Sequence, residues 1–314
     1  MDHFVKDGST VNLCTLDISK AFDNISHSIL FIKLMKRGIL KSLLTLLINW
    51  YSSSQSRVRW LNAYSYAYFP TVGVRQGGVL SPLLFAVYVN DLLLNLQSSR
   101  LGCVINGMSF NSFMYADDLI LLLLSVIDLQ KMIDFCSFEL GRIKLNINSS
   151  KSVCLRIGKR FAFNCAKLYV NGIVLSFTNE IKYLGVFIKS GTVFMFNTDV
   201  NKSKCYRIMN SILSKCRNKP ELVIPLCDAY CFPVLFYGSE AMMLNNSQKI
   251  SLDSTVKNLF YKLFNSNDAH VIKQCQYHMS CLPISYAIDL RSVKFYAKMK
   301  NSENIILRSF IEKC

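Results

Sequence analysis

Ser109-Phe110-Asn111-Ser112-Phe113-Met114-Tyr115-Ala116-Asp117-Asp118-Leu119-Ile120-Leu121-Leu122-Leu123-Leu124 sets two adjacent carboxylates at a bend between apolar runs. Both flanks are rich in strand-forming residues and neither is long enough for a helix. The stretch therefore predicts a β-hairpin with Asp117 and Asp118 at its tip. Two carboxylates side by side repel, and burying them is costly unless a cation neutralises the pair. A hard divalent ion such as Mg²⁺ accepts such oxygen ligands and keeps phosphate oxygens in its remaining positions. An acidic pair in a turn is equally an ordinary solvated bend, so the hairpin needs company before it reads as a site.

Asp17 supplies that company. The segment Val11-Asn12-Leu13-Cys14-Thr15-Leu16-Asp17-Ile18 has strand character and ends at an acid, and the polar step Asp23-Asn24 leads into a helix-like stretch from Ser26 to Arg37. A strand that delivers one carboxylate beside a hairpin carrying two more would assemble a two-metal site, whose ions stand about 3.5–4 Å apart in phosphoryl-transfer enzymes. Between these acids, Gly77-Gly78 offers backbone that can lie close against a ligand. Ser81-Pro82 then predicts a helix start, with Ser81 as N-cap and Pro82 at the first helical position. Its N–H groups and positive dipole end would suit a phosphate. Taken alone, the same residues read as a plain connector between a hairpin and a helix.

Five segments in order carry a resemblance. Leu16-Asp17-Ile18-Ser19-Lys20-Ala21-Phe22-Asp23 resembles the first catalytic motif of the reverse transcriptase palm, and Tyr115-Ala116-Asp117-Asp118 resembles its second acidic motif. Gly73-Val74-Arg75-Gln76-Gly77-Gly78-Val79-Leu80-Ser81-Pro82-Leu83-Leu84-Phe85 is similar to the glycine-rich turn and helix at the incoming nucleotide. Leu145-Asn146-Ile147-Asn148-Ser149-Ser150-Lys151 looks like the next palm motif, and Ile181-Lys182-Tyr183-Leu184-Gly185-Val186 like the primer grip. The wording, including Phe232-Pro233-Val234-Leu235-Phe236-Tyr237-Gly238-Ser239-Glu240, resembles non-LTR retrotransposons of the LINE type.

The resemblance implies an RNA-directed DNA polymerase that uses an RNA template, a DNA primer and dNTPs. It implies that Asp17, Asp117 and Asp118, with Ile18 beside them, hold two Mg²⁺ ions, for which Mn²⁺ could substitute. Among the acids of the pair, Asp117 carries the firmer metal contact and Asp118 assists. Phe22 would pack under the sugar and exclude a ribose 2′-hydroxyl; composition alone reads it as a core Phe. Gln76 and Gly77 would meet the incoming triphosphate, and Arg75 template phosphate. Lys151 would protonate the departing pyrophosphate, or is one more basic residue on a solvated face. Tyr115, Tyr183, Leu184 and Gly185 would contact primer and template, while Tyr115 has the plainer task of anchoring the hairpin by burying its ring. Asp23 is read as a cap for the following helix, and Asp91 has no catalytic role.

The rest of the chain sets the frame. It has 314 residues and a net charge of +16, from 36 Lys and Arg against 20 Asp and Glu, which suits a polyanionic partner and salt-sensitive binding. The basic residues are spread out, at Lys33, Lys36 and Arg37, at Arg156, Lys159 and Arg160, and at Lys202, Lys204 and Arg207, as a groove or broad face would need. Twelve cysteines without a signal peptide or a C-x-x-C pair predict reduced thiols in an intracellular protein, nuclear or cytoplasmic. His270, Cys275, His278 and Cys281 lack the spacing of a zinc site. Mean hydropathy is +0.27, but the longest clean apolar run, Leu119 to Leu124, is too short to span a bilayer. No membrane association is expected, and protein partners are not readable.

The predicted fold class is α+β: a right-hand polymerase palm over residues 1–190, an antiparallel sheet with packed helices, followed by a mostly helical thumb and C-terminal region over 191–314. Residues 125–142 predict an amphipathic helix covering the sheet. Helical patterns at 196–217, 222–238, 246–265 and 285–300 make up the second region. With only 16 residues ahead of Asp17, the fingers are expected to be largely missing. A truncated, inactive retroelement remnant that at most binds nucleic acid is the alternative expectation.

Overall fold

The computed structural model describes residues 1–99, 101–105, 107–216 and 219–303. The chain divides into two compact units, Met1–Leu184 with Lys189–Phe194, and Gly185–Ile188 with the residues from Met195 onward. The first unit begins with α1 (Asp2–Lys6), β1 (Val11–Ile18), α2 (His27–Lys36), α3 (Lys41–Ser53), the short strands β2 (Arg59–Trp60) and β3 (Ala63–Tyr64), and α4 (Ser81–Ser98). It continues with β4 (Val104–Ile105), β5 (Met108–Ser109), β6 (Ser112–Tyr115), β7 (Asp118–Leu123), α5 (Val126–Arg142) and β8 (Ile147–Ile157). The strands β9 (Tyr169–Val170), β10 (Ile173–Val174), β11 (Ser176–Phe177) and β12 (Glu180–Tyr183) follow.

Its main sheet has the order β11-β8-β1-β7-β6, antiparallel throughout except for the β11–β8 pair. Side chains alternate across a strand, and here the alternation is strict. Cys14, Leu16 and Ile18 of β1 join Leu119, Leu121 and Leu123 of β7 in one buried cluster with Phe85 and Tyr88 of α4 and Leu129, Met132 and Ile133 of α5. The opposite parity carries Leu13, Thr15 and Asp17 on β1 against Leu122, Ile120 and Asp118 on β7. The acids therefore lie on the face turned away from that helical layer. Tyr88 ties the layer to the strand–helix junction: its hydroxyl donates to the Ile143 carbonyl at 2.6 Å and accepts the Ser26 N–H at 3.2 Å.

The α+β class is as the sequence reads, and so are the acidic hairpin and the helices after Ser26 and Ser125. Ser125 caps α5 by accepting the Asp128 N–H at 3.3 Å. Other details differ. Ser81 is not an N-cap: Leu80 holds that position, and the Ser81 hydroxyl donates to the Arg75 carbonyl, closing the glycine-rich turn. Asp23 does not cap α2, whose N-cap is Ser26; its carboxylate accepts a bond from Gln76. Helices α1 and α3 were not anticipated, and α3 buries only Leu44 and Leu47, too few for a clear helical stripe.

The second unit holds β13 (Val186–Lys189, its last residue in the first unit), β14 (Met195–Phe196), α6 (Asp199–Cys216), α7 (Pro220–Tyr230), α8 (Phe232–Leu235), α9 (Asn246–Phe264), α10 (Ala269–His278) and α11 (Ile284–Lys300). These helices enclose their own core around Met209, Val223, Cys227, Leu259, Phe260 and Ile288. A reciprocal box between Asn245 and Gln248 starts α9. The pattern read as one helix over 222–238 breaks at Cys231, because Pro233 has no N–H and its ring would meet the carbonyl of residue 229. Helix α10 runs through the His270–His278 stretch. Among the described residues no three His, Cys, Asp or Glu side chains form a ready-made metal cluster, and no helix is long and apolar enough to cross a membrane.

Candidate active site

Asp17 and Asp118 are direct partners across the antiparallel β1–β7 pair. Residues opposed in this way have Cα atoms about 4.5–5.5 Å apart, so their side chains share one surface. Asp117 sits beside them in the two-residue Ala116–Asp117 loop, flanked by the Tyr115–Asp118 pair. Ala116 takes φ +51°, as mirror-image hairpin turns require at their first loop residue.

The register of β1 against β8 shifts between Thr15 and Asp17, so that Asp17 faces Asn148. Such bulges re-aim a side chain and recur beside active sites. The bulge is held by Ser152, which the sequence reading passed over. Its buried hydroxyl accepts the Asp17 N–H at 3.1 Å and donates to the Asn148 carbonyl at 2.7 Å. Thr15 strengthens the same join by donating to the Val153 carbonyl at 3.3 Å. Only the neighbouring Lys151 stood out in the sequence, and nothing in a lone serine marks it as a strut.

A small cleft of about 160 Å³ is lined by Thr15, Leu16, Asp17, Asp118, Leu119, Lys151, Lys182 and Tyr183. The fold thus gathers Asp17, Asp118, Lys151 and Tyr183, and adds Lys182. Burial raises the Asp118 carboxyl above its ordinary value, and the charges of Asp117 and then Asp17 raise it further, with Lys182 opposing. The Tyr183 hydroxyl is pushed up to about 12 by burial and by Asp118. Three mutually repelling carboxylates are a donor set that fits a hard cation. Two strand carboxylates with phosphate and water oxygens form the shell that Mg²⁺ prefers.

The remaining residues lie elsewhere on the first unit or beyond it. Ile18 follows Asp17 at the end of β1, its side chain buried and its backbone opposite Ile147. Phe22 is half-buried and stacks on Phe85, with centroids 4.9 Å apart and planes 26° apart. Arg75, Gln76 and Gly77 line a separate, wider groove with Asp23 and His27. Gln76 Nε2 donates to Asp23 Oδ1 at 3.1 Å. Gly73 must be a glycine there, since at φ +88° an added Cβ would stand 2.8 Å from the Asp23 carbonyl oxygen. Tyr115 does not bury its ring, which is 66% exposed: on β6 it alternates with the half-buried Ser112 and Met114, and this parity faces solvent. Leu184 and Gly185 form a tight turn with φ +48° and +82°.

The basic residues are not all free for a ligand. Lys33 pairs with Asp91, Lys202 with Asp199, and the buried Arg156 donates to Asn12 and to the Phe163 carbonyl.

Residues 2–188 match the family described as reverse transcriptase (RNA-dependent DNA polymerase). The Pol polyprotein of the type-2 retrotransposable element R2DM of Drosophila melanogaster is 30% identical over 202 residues, 61% of this chain and 19% of that protein. The RNA-directed DNA polymerase from mobile element jockey of Drosophila funebris is 29% identical over 237 residues, 72% of this chain and 25% of that protein. Apo telomerase from Candida tropicalis aligns at a TM-score of 0.48 and 13% identity, covering 93% of this chain and 48% of that one. The chain spans a fifth to a quarter of the length of the two retroelement relatives. It belongs to the reverse transcriptase family. Its relatives place it in the non-LTR, LINE-type branch.

Proposed function

We propose that this chain carries the palm and thumb of an RNA-directed DNA polymerase, which extends a DNA primer on an RNA template with dNTPs. One observation carries the reading: in a member of this family, Asp17 and Asp118 oppose each other across β1 and β7 with Asp117 in the adjoining loop. Residues 1–190 are assigned as the palm and 191–314 as the helical thumb and C-terminal region.

Asp17, Asp117 and Asp118, with the Ile18 backbone, are the groups that would hold two Mg²⁺ ions, or Mn²⁺ in their place. Bound there, the ions would stabilise charge on the attacking and leaving oxygens of an in-line displacement. The Ser152 strut keeps the Asp17 backbone in place for that task. Phe22, braced by Phe85, shapes the floor under the sugar, and Gln76 and Gly77 receive the triphosphate. Arg75 holds template phosphate. Lys151, exposed at the cleft, donates a proton to departing pyrophosphate. Tyr115, Tyr183, Leu184 and Gly185 position the primer strand.

Primer extension on a primed RNA template with dNTPs and Mg²⁺, run beside Asp117→Ala, tests the reading. Extension by the parent alone supports it. Failure of both, with equal binding of the primed template, would leave an inactive remnant and end the polymerase assignment.

A further inference from the structure

At the end of β1 away from the acids, a cavity of about 450 Å³ opens between the Gly8–Thr10 turn, the end of β7 and the start of α5. Asn12 of β1 and Arg156 of β8, register partners, both line it. Asn12 lies five residues before Asp17, about 16 Å along an extended strand. It shares the parity of Cys14 and Leu16, so the pair points to the helix-covered face and the acids point to the other.

Arg156 is only 9% exposed, and no carboxylate pairs with it among the described residues. Its Nε donates to Asn12 Oδ1 at 3.1 Å and its Nη1 to the Phe163 carbonyl at 2.6 Å. Those bonds occupy part of the guanidinium. The Nη2 has no protein partner and is not sealed from solvent, so its N–H groups emerge into the cavity. A buried cation without a counter-charge is costly.

Two more cations converge there. Arg160 lines the cavity, and Lys159 Nζ stands at its edge, 3.7 Å from where a Cβ on Gly8 would lie. Neither side chain makes an ion pair among the described residues. Gly158, at φ +128°, begins the turn that brings them in, and a Cβ on it would collide with the Ser9 carbonyl. The Arg160 N–H donates to Thr10 Oγ1 at 3.1 Å, which leaves the Thr10 hydroxyl proton, and the unpartnered Ser9 hydroxyl, free to donate. Acceptors nearby are already used: the Leu123 and Leu124 carbonyls take Asn12 Nδ2, and that of Phe163 takes Arg156. No lining residue is acidic, and Asp7 and Asp128, the acids next along the chain, face His3 and Lys131. Converging donors with positive charge and no acceptor are the complement of a phosphoryl group.

We propose that this cavity binds a small phosphorylated anion, a phosphomonoester or a diphosphate, through Arg156, Lys159, Arg160 and the hydroxyls of Ser9 and Thr10. A small anion fits better than a nucleic-acid strand, because no ring lines the cavity for a base to stack on. The volume is also that of a small-molecule pocket. The inference is independent of the polymerase reading.

Inorganic diphosphate in buffer with EDTA, at fixed ionic strength, is the probe; without divalent cations the three carboxylates of the acidic cleft repel it. Titration calorimetry should show one site per chain. Arg160→Gln and Lys159→Gln, both at exposed positions, should fold like the parent and each weaken binding on the order of 10-fold. Arg37→Gln removes an exposed cation elsewhere and should change nothing. Glucose 6-phosphate should displace the diphosphate, and a single-stranded oligonucleotide without terminal phosphates should not.

Several results overturn the proposal: no binding of diphosphate, unaltered affinity in both glutamine variants at the cavity, or an equal loss in Arg37→Gln, which would reduce the effect to net charge. Displacement by the oligonucleotide and not by the sugar phosphate would make the cavity a strand-binding site and also overturn it. Asp17→Asn should bind diphosphate at least as well as the parent, and a loss there would move the anion to the acidic cleft. Primer extension is read separately with Mg²⁺, so failure of either assay leaves the other conclusion standing.

Discussion

Ser152 bridges the bulge beneath Asp17: its hydroxyl accepts the Asp17 N–H at 3.1 Å and donates to the Asn148 carbonyl at 2.7 Å. Ser152→Ala leaves that N–H without its acceptor in a partly buried place. A stability loss of about 1–2 kcal/mol is expected. The larger effect should be on turnover, since small displacements of a reacting group cost on the order of 100-fold in rate. Thermal melting and steady-state primer extension separate the two. A kcat that falls no further than stability explains would remove Ser152 from the positioning role.

Asp118 gives a pH-dependent signature. Its carboxyl is raised above 3.8 in the folded protein, so between that value and its folded value the folded state binds more protons than the unfolded one. Stability contributed by this group is therefore greatest at low pH and declines as pH rises through that window. Without divalent cations, Asp118→Asn should melt higher than the parent at neutral pH, and the advantage should vanish below pH 3.8. The measurement is a melting curve against pH, and a neutral-pH advantage of the parent would contradict it.

Adding Mg²⁺ should reverse that order. A ligand bound only by the folded state stabilises it by roughly 2.7 kcal/mol at a hundred times its Kd. The parent should gain melting temperature with MgCl₂, whereas Asp17→Asn and Asp118→Asn should gain little. Equal gains in all three proteins would show the ion binding elsewhere.

The Gln76–Asp23 bond joins the glycine-rich turn to the end of the first motif. Both groups are exposed, so Gln76→Ala should leave stability within about 0.5 kcal/mol. Its expected effect is a several-fold higher KM for dNTP. Gln76→Glu should be worse, because it sets two like charges against each other. Nucleotide titrations of extension rate decide between them, and an unchanged KM in both variants counts against a nucleotide role.

Phe22, packed on Phe85, is assigned the floor under the sugar. Phe22→Val shortens the ring and should admit ribonucleotides on the order of 10-fold more readily, the scale at which apolar pockets discriminate. Competition between dNTP and rNTP in single-nucleotide extension reads this ratio. Unaltered selectivity with lowered stability would return Phe22 to an ordinary packing role.

The acidic hairpin was legible because period-2 alternation and a two-residue bend are local signals. Asp17 was legible because an apolar strand ended on it. The contribution of Ser152 depends on a register shift between strands far apart in sequence, which no local pattern encodes. Lys182, on β12 in a sheet apart from that of β1 and β7, lines the cleft through tertiary placement that no local pattern encodes either. Helix α3 hid because only two of its leucines are buried, and α10 because its His and Cys residues were weighed only against a zinc pattern, which their spacing did not meet. Among the basic residues whose spread suits a groove or broad face, Lys33, Lys202 and Arg156 have partners within the fold, which composition does not reveal.

Because the helix-facing cluster and the acids occupy opposite parities of β1 and β7, a slip of one residue carries each set to the other face. Asp118 would turn into the apolar layer and Leu119 would turn outward toward the cleft. No partly slipped arrangement keeps half a site, so each molecule is either competent or wholly silent. A titration of active sites in any preparation would then count correctly paired hairpins, and low specific activity would report a mixture of two populations in place of one sluggish catalyst.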